Sequence, residues 1–268
     1  RRMMNRRMSL LLEENPHIVA LAHTADYTNR AYWSQLYWWL KDHHETTTTS
    51  DNRLLPLITA RGNHDLDVGF EEMFYWPNRE NDFYYTSQIN SETVMVVLNT
   101  EISISGDQRV WLEETLSDVR PKNRYVTMMF HKPIYPSVRA YDGAEGRRRA
   151  WAPLFDEHEV DLVAVGHDHA LKRTVPILAE EPDPEGIVYI GDGGLGVPTR
   201  EVDASRWYLQ NPGMTESIFN VHLVEFSSEQ IHIRAFGMEG DTLDEFVIPA
   251  DREQRRSEYE SIISEEVE

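Results

Sequence analysis

The sequence contains no cysteine. Disulfide frameworks and thiolate-ligated zinc are therefore excluded, and the redox compartment is left open. Basic residues are scarce: 26 Lys and Arg stand against 46 Asp and Glu, a formal net charge of −20. Such a surface repels a phosphate backbone, so broad nucleic-acid binding is not expected. Any anionic substrate has to be attracted locally, by a metal or a few basic groups. No apolar run approaches the roughly 18 residues that mark a membrane span. Aromatics are plentiful, with seven Trp, twelve Tyr and nine Phe in 268 residues. That supports a sizeable core in one large domain or two small ones, and does not fix an oligomeric state.

Met4, Met8, Leu11 and Leu12 share one face of an N-terminal helix that Pro16 ends. Residues 18–22, Ile-Val-Ala-Leu-Ala, read as a strand buried on both faces that delivers His23, Thr24, Ala25 and Asp26 at its carboxyl end. A Trp- and Tyr-rich helix over 31–40 closes in a polar loop, where His43, His44 and Glu45 read as solvated. The apolar run Leu54, Leu55, Leu57, Ile58 ends in Gly62-Asn63-His64-Asp65. Glycine permits a sharp turn there, and the carboxyl ends of strands are where open α/β sheets bind ligands.

Residues 84–88 and 93–98 read as strands joined at Asn90-Ser91, and Asp107 as the cap of a helix burying Trp111, Leu112 and Leu116. A strand over 125–130 ends at His131, and one over 160–165 ends at Gly166-His167-Asp168-His169. Between them lies a helix over 147–158 with Arg147-Arg148-Arg149 as a solvated face. Strands over 187–190, 218–226, 230–236 and 246–248 follow, and a charged helix or tail over 251–268 lies beyond a domain of residues 1–250. With βαβ units first and antiparallel strands later, the order indicates a layered α/β sandwich with mixed sheets.

Four strands thus end in metal-competent groups: Asp26, Asn63-His64-Asp65, His131, and His167 with His169. Imidazole combined with carboxylate and amide oxygen suits zinc, iron or manganese. Gly62-Asn63-His64-Asp65, Phe130-His131-Lys132-Pro133-Ile134-Tyr135 and the ten residues 160–169, in that order, resemble the motifs of calcineurin-like metallophosphoesterases. Within these the chain is similar to the purple acid phosphatase-like branch, over roughly residues 15–249.

The resemblance implies a four-layer αββα sandwich with two mixed β-sheets and two divalent or trivalent metal ions (Fe, Mn or Zn). It implies hydrolysis of a small phosphate mono- or diester by a metal-bridging hydroxide, in a secreted or periplasmic setting. Asp26 then bridges the two ions, with Asn63, His131 and His167 completing one site and His169 serving the other. His64 faces the phosphate as proton donor, and Asp65 orients or charges it.

The family's first strand ends in Asp-x-His, which gives two ligands to the ion that His169 serves. No such motif precedes Asp26, so the chain reads as lacking that strand. The alternative is a non-catalytic or degenerate domain without a complete binuclear centre. Ala25 replaces the glycine usual before the bridging Asp, and Asn29 stands where purple acid phosphatases carry a metal-binding tyrosine; Tyr27 is expected to point elsewhere. The run from Gly191 to Gly196 spells a dinucleotide motif, but Pro198 denies the helix, leaving a glycine turn at the pocket rim. Arg61 and Tyr135 flank motif residues and are candidates for substrate contact.

Overall fold

Helix α1 (Arg2–Glu14) buries Met4, Met8, Leu11 and Leu12, the stripe its spacing predicts. The computed structural model describes residues 1–77, 82–191 and 193–264. After α1 come β1 (Leu21–His23), α2 (Trp33–Thr47), β2 (Leu57–Thr59), α3 (Val68–Met73), β3 (Tyr85–Asn90), β4 (Thr93–Val97), α4 (Asp107–Val119), β5 (Tyr125–Phe130), α5 (Glu145–Glu157) and β6 (Leu162–Val165). The later part adds β7 (Leu171–Arg173), β8 (Ile177–Leu178), β9 (Glu181–Pro182), β10 (Val188–Gly191), β11 (Met214–Glu216), β12 (Val221–Phe226), β13 (Gln230–Phe236), β14 (Thr242–Pro249) and α6 (Arg252–Ser264).

The main sheet has seven strands in the order β11-β7-β10-β6-β5-β4-β3. Its centre, β4 to β10, is parallel, and its flanks are antiparallel. Strand β5 is buried at all six positions, because both faces of a central strand are covered. Its alternate residues face two different cores. Val126, Met128 and Phe130 pack with Leu112 and Leu116 of α4 and Trp151 and Phe155 of α5. Met129 belongs to a cluster with Tyr27, Trp39 and Phe70, and Tyr125 to one with Ile231, Ile233 and Ile248.

The second layer differs from the expectation of one further mixed sheet. It consists of a parallel pair, β1-β2, and an antiparallel triplet, β12-β13-β14. Among the described residues nothing pairs β1 to β12. A groove of about 1190 Å³ lies here, lined by residues 18–29 on one side and 220–227 on the other. Met95, Thr127, Met129, Leu162, Ala164 and Ile190 of the main sheet and Met8, Leu11 and Leu12 of α1 also line it. His131, His167 and His169 line it as well. The strand expected over 18–22 is accordingly shorter and not buried on both faces; Val19 is exposed and Ala22 with it. Among the described residues, no strand pairs with its outer edge.

Other expectations are corrected. Helix α2 continues through the expected polar loop to Thr47, because Trp39, His43 and Thr47 share one buried face. His43 is 4% exposed and stacks on Trp39 at 5.2 Å. Asp107 is the first residue of α4, and the capping position is taken by Gly106, at φ +67°. Arg148 is buried, donating to the carbonyls of Ile134 and Tyr141 with its guanidinium over the Tyr141 ring.

Burial, and then the neighbouring charge of His44, lower the His43 pKa from its ordinary 6.5 to about 4. A buried imidazole of depressed pKa favours folding fully above pH 6.5, and that contribution is lost as pH falls toward 4. Replacing His43 with Gln is expected to remove an acid-limb loss of about 2–3 kcal/mol. Urea unfolding of the metal-free chain at pH 7 and pH 4.5 checks this; an unchanged difference between the two pH values contradicts it.

Candidate metal centre

Two short loops, after β1 and β2, bring the first half of the site together. Asp65 is fully buried and accepts backbone N–H bonds from Asp26 (2.7 Å), Gly62 (3.1 Å) and Tyr27 (3.2 Å). One carboxylate therefore ties the Asn63 loop to the Asp26 loop. The approach is close enough to require glycine: a Cβ on Gly62 would lie 2.2 Å from Asp26 Oδ1. Likewise, a Cβ on Gly166 would lie 2.8 Å from Thr24 Oγ1. Ala25, Asp26, His167 and His169 all have left-handed φ, between +54° and +86°. Side-chain-bearing residues in that region cost of order 1–3 kcal/mol each, and such strain gathers at functional sites.

His131, at the end of β5, occupies the centre. Its Nδ1 lies 2.8 Å from the Thr24 carbonyl, so that nitrogen carries the hydrogen. The Nε2 lone pair then faces Asp26 Oδ2 at 3.0 Å, His167 Nδ1 at 3.1 Å and Asn63 Oδ1 at 3.2 Å. The ligand atoms of Asp26, His131 and His167 all fall within 4.8 Å of one another. Lone-pair donors converge here, and one proton satisfies only a single pair of them. A cation satisfies them all, and the mixed nitrogen and oxygen set fits zinc, iron or manganese.

Burial would raise Asp26, but a proton on His131 Nε2 and the His64 N–H outweigh it and hold the carboxyl below its usual range; a cation at Nε2 would take that proton's place. Burial, and then the charge of His131, push His167 down to about 3, keeping its lone pair free. Asp65 is pushed up to about 7 by its burial and by the charge of Asp26, against the pull of its N–H donors.

His64 donates its backbone N–H to Asp26 Oδ1 at 2.9 Å, and its Nδ1 meets the Asn29 carbonyl at 2.8 Å. Nε2 is thus turned outward. This corrects the expected role of Asp65, whose oxygens meet backbone N–H groups and not the His64 ring. His169 lies outside the convergent group, with Nδ1 3.2 Å from the Pro198 carbonyl. Tyr27 packs away from the centre, stacked on His23 at 4.2 Å and edge-on to Trp39. Gly194, Leu195 and Gly196 line the groove rim, while Asp192 lies outside the described residues. Neither candidate substrate contact is free: Arg61 pairs with Glu71 at 2.9 Å, and Tyr135 is buried against Tyr189 and Tyr208.

The structure adds residues that the sequence did not single out. Asp168, between the two histidines, is buried and accepts from Ser137 N (2.6 Å), Ser137 Oγ (3.2 Å), Arg139 N (3.3 Å) and the buried Lys172 Nζ (3.4 Å). Burial would raise Asp168, but Lys172 and the backbone donors hold it below the usual carboxylate range. This knot fixes the histidine turn to the loop after β5. Its one visible signal was an acid placed between two metal-competent histidines.

A phosphoesterase-type fold with a metal-competent cluster at its strand ends is the class these features define. A family model for calcineurin-like phosphoesterases matches residues 4–171, and the chain belongs to that family. Its curated relatives include purple acid phosphatase 22 of Arabidopsis thaliana, 28% identical over 158 residues, which are 52% of this chain and 36% of that protein. The chain thus spans little more than a third of that relative's length. Among solved structures, purple acid phosphatase PPD1 from yellow lupin seeds matches with a TM-score of 0.77 at 19% identity, over 92% of this chain and 49% of that one. GAP50, the anchor in the inner membrane complex of Plasmodium, matches with a TM-score of 0.71 at 13% identity, over 96% and 90%. The purple acid phosphatases are thus what the chain is similar to within this family, and the family implies divalent metal ions. Among the described residues, no helix is long and apolar enough to cross a membrane.

Substituting Gly62 with Ala is expected to displace the Asp26 carboxylate and weaken zinc binding about tenfold or more, read by titration calorimetry. Gly143, whose added Cβ meets nothing within 4 Å, provides the control, and its Ala variant is expected to bind zinc as the parent does. Equal affinity in both variants contradicts the close-approach argument.

Proposed function

We propose that the chain is the metal-binding core of a phosphoesterase that hydrolyses small phosphate mono- or diesters. The observation that carries this reading is the convergence of Asp26, Asn63 and His167 on His131 Nε2, with distances of 3.0 to 3.2 Å. Asp26, Asn63, His131 and His167 would hold one ion, and Asp26 with His169 would begin a second. Iron, manganese or zinc at such positions polarises a phosphoryl oxygen and makes water a competent nucleophile near neutral pH.

The chain's own groups do the rest. Thr24 fixes the His131 tautomer through its carbonyl, so that Nε2 stays a lone-pair donor. Asn29 holds His64 by Nδ1, leaving Nε2 to donate a proton to the departing oxygen. Asp65 acts as a positioning residue, because its carboxylate sets the backbone on which Asp26 and Asn63 sit.

We further read the groove between β1 and β12 as the seat of an additional extended strand. Such a strand would pair with both open edges and join the pair and the triplet into one sheet. Its end would lie by His131, His167 and His169, where the second ion is short of ligands. Arg1 also lines the groove and packs against Gly196, so a segment fused ahead of α1 can reach it. A second reading, a degenerate domain holding a single ion, is favoured by the position of His169 outside the cluster.

Metal analysis with a phosphoester assay separates the two. The 268-residue chain is expected to bind about one ion, and a version with an Asp-x-His strand fused ahead of Arg1 about two, with metal-dependent hydrolysis of p-nitrophenyl phosphate. Replacing His64 with Ala in the fused version is expected to keep the metal and lower kcat by about 10²–10⁴-fold. A single ion and no turnover in the fused version would support the degenerate domain, and strong turnover by the unfused chain would remove the need for the added strand.

A further inference from the structure

Five consecutive carbonyls in the loop after β5 are each held by a donor from another part of the chain. Pro133 accepts from Arg147 Nε at 3.3 Å, Ile134 from Arg148 Nη1 at 3.0 Å and Tyr135 from Lys172 Nζ at 2.9 Å. Pro136 accepts from the Tyr208 hydroxyl at 2.6 Å, and Ser137 from the Asp203 N–H at 2.8 Å. Among these donors Lys172 stands apart, because its ammonium also faces Asp168 Oδ2 at 3.4 Å. It thereby joins the loop that begins at His131 to the turn that carries His167 and His169.

Lys172 has a prepared seat. It lies in the middle of β7, paired with Gly191 of β10 on one side and Thr215 of β11 on the other. A Cβ on Gly191 would lie 2.8 Å from Lys172 Cε and 3.1 Å from its Cγ, so the glycine leaves room for the stem. The whole residue is buried. Lysine sits so deep almost only when paired, and a buried ion pair contributes little net stability compared with apolar residues of similar volume. Packing therefore does not account for a charge at this position.

Geometry does. His167 and His169 hold left-handed backbone at φ +70° and +56°, and such turns persist only where their surroundings over-determine them. The Asp168 N–H turns back to the Gly166 carbonyl at 2.8 Å, which leaves the Asp168 carboxylate as the part of the turn that can be gripped. The backbone N–H groups of Ser137 and Arg139 grip it from the loop, and Lys172 grips it from β7.

We propose that Lys172 is a positioning residue that acts through Asp168 to hold the His167 ring in register with His131. The inference rests on the metal-binding part of the reading above and not on the cleavage of any particular ester. Residues that orient a metal ligand in this way typically affect metal affinity without touching the ion.

The experiment compares Lys172→Met with Arg255→Met in the 268-residue chain, each checked for folding by thermal melting. Arg255 pairs with Asp161 at 2.6 Å, also buried, at the amino end of β6 and so at the opposite end of that strand from His167. Lys172→Met is expected to weaken zinc binding about 10–100-fold by titration calorimetry, while Arg255→Met binds zinc as the parent does. Asp168→Asn is expected to match Lys172→Met, and the double variant to lose no more than either, because the two act as one unit. Gly191→Ala keeps both charges but crowds the lysine stem, and is expected to weaken zinc about threefold or more. It carries the test if Lys172→Met does not fold. Imidazole nitrogen NMR of the metal-free chain gives a readout that needs no zinc. The His131 and His167 signals are expected to shift in Lys172→Met and Gly191→Ala and to stay in place in Arg255→Met.

Unchanged zinc affinity in folded Lys172→Met or in Gly191→Ala overturns the proposal. An equal loss in Arg255→Met would reduce the effect to general stability, and additive losses in the double variant would separate Lys172 from Asp168; either overturns it as well. If the parent takes up no zinc while the histidine signals still move, the metal-binding reading fails and the positioning role stands. Unmoved signals overturn that role.

Discussion

Everything near the site depends on keeping several lone pairs crowded around His131 Nε2. Without a cation, a carboxylate, an amide oxygen and two imidazoles at 3.0 to 3.2 Å offer little to one another. The surrounding chain bears the cost of holding them there. Four residues adopt left-handed backbone, two glycines leave out the Cβ that would collide, and Asp65 gives up its solvation to organise three N–H groups. Such strain persists only where the surroundings over-determine it. The rigid surroundings are the fully buried central strand β5 and the two loops clamped across its carboxyl end.

The same end of the sheet links architecture to chemistry. The parallel pair and the antiparallel triplet lean on the main sheet through separate clusters of side chains, and the groove between them leads to the histidines. Among the described residues, the outer edges of β1 and β12 are unpaired, and the groove between them is lined at one end by His131, His167 and His169.

Much of this was legible in the sequence, for definite reasons. Short apolar runs ending in Asp, Asn or His mark strands whose carboxyl ends meet, and with the family resemblance this grouped Asp26, Asn63, His131, His167 and His169, of which His169 lies outside the convergent group. Helix α1 was legible because its apolar stripe has the helical period. Less was visible where long-range contact decides the outcome. His43 reads as polar and solvated, yet Trp39 one turn earlier carries it inside. Asp65 follows His64 in the chain, but its oxygens turn to backbone groups on another loop. The burial of Tyr135 and Arg148, and the knot of Asp168 with Lys172, depend on elements that approach from more than one side.

The most direct test of the central claim is anomalous diffraction from crystals of this chain grown with zinc. The expected result is a peak about 2.0–2.2 Å from Asp26 Oδ2, Asn63 Oδ1, His131 Nε2 and a ring nitrogen of His167. A map with no peak among those four residues, and with His131 hydrogen-bonded directly to its neighbours at full zinc concentration, would contradict the account.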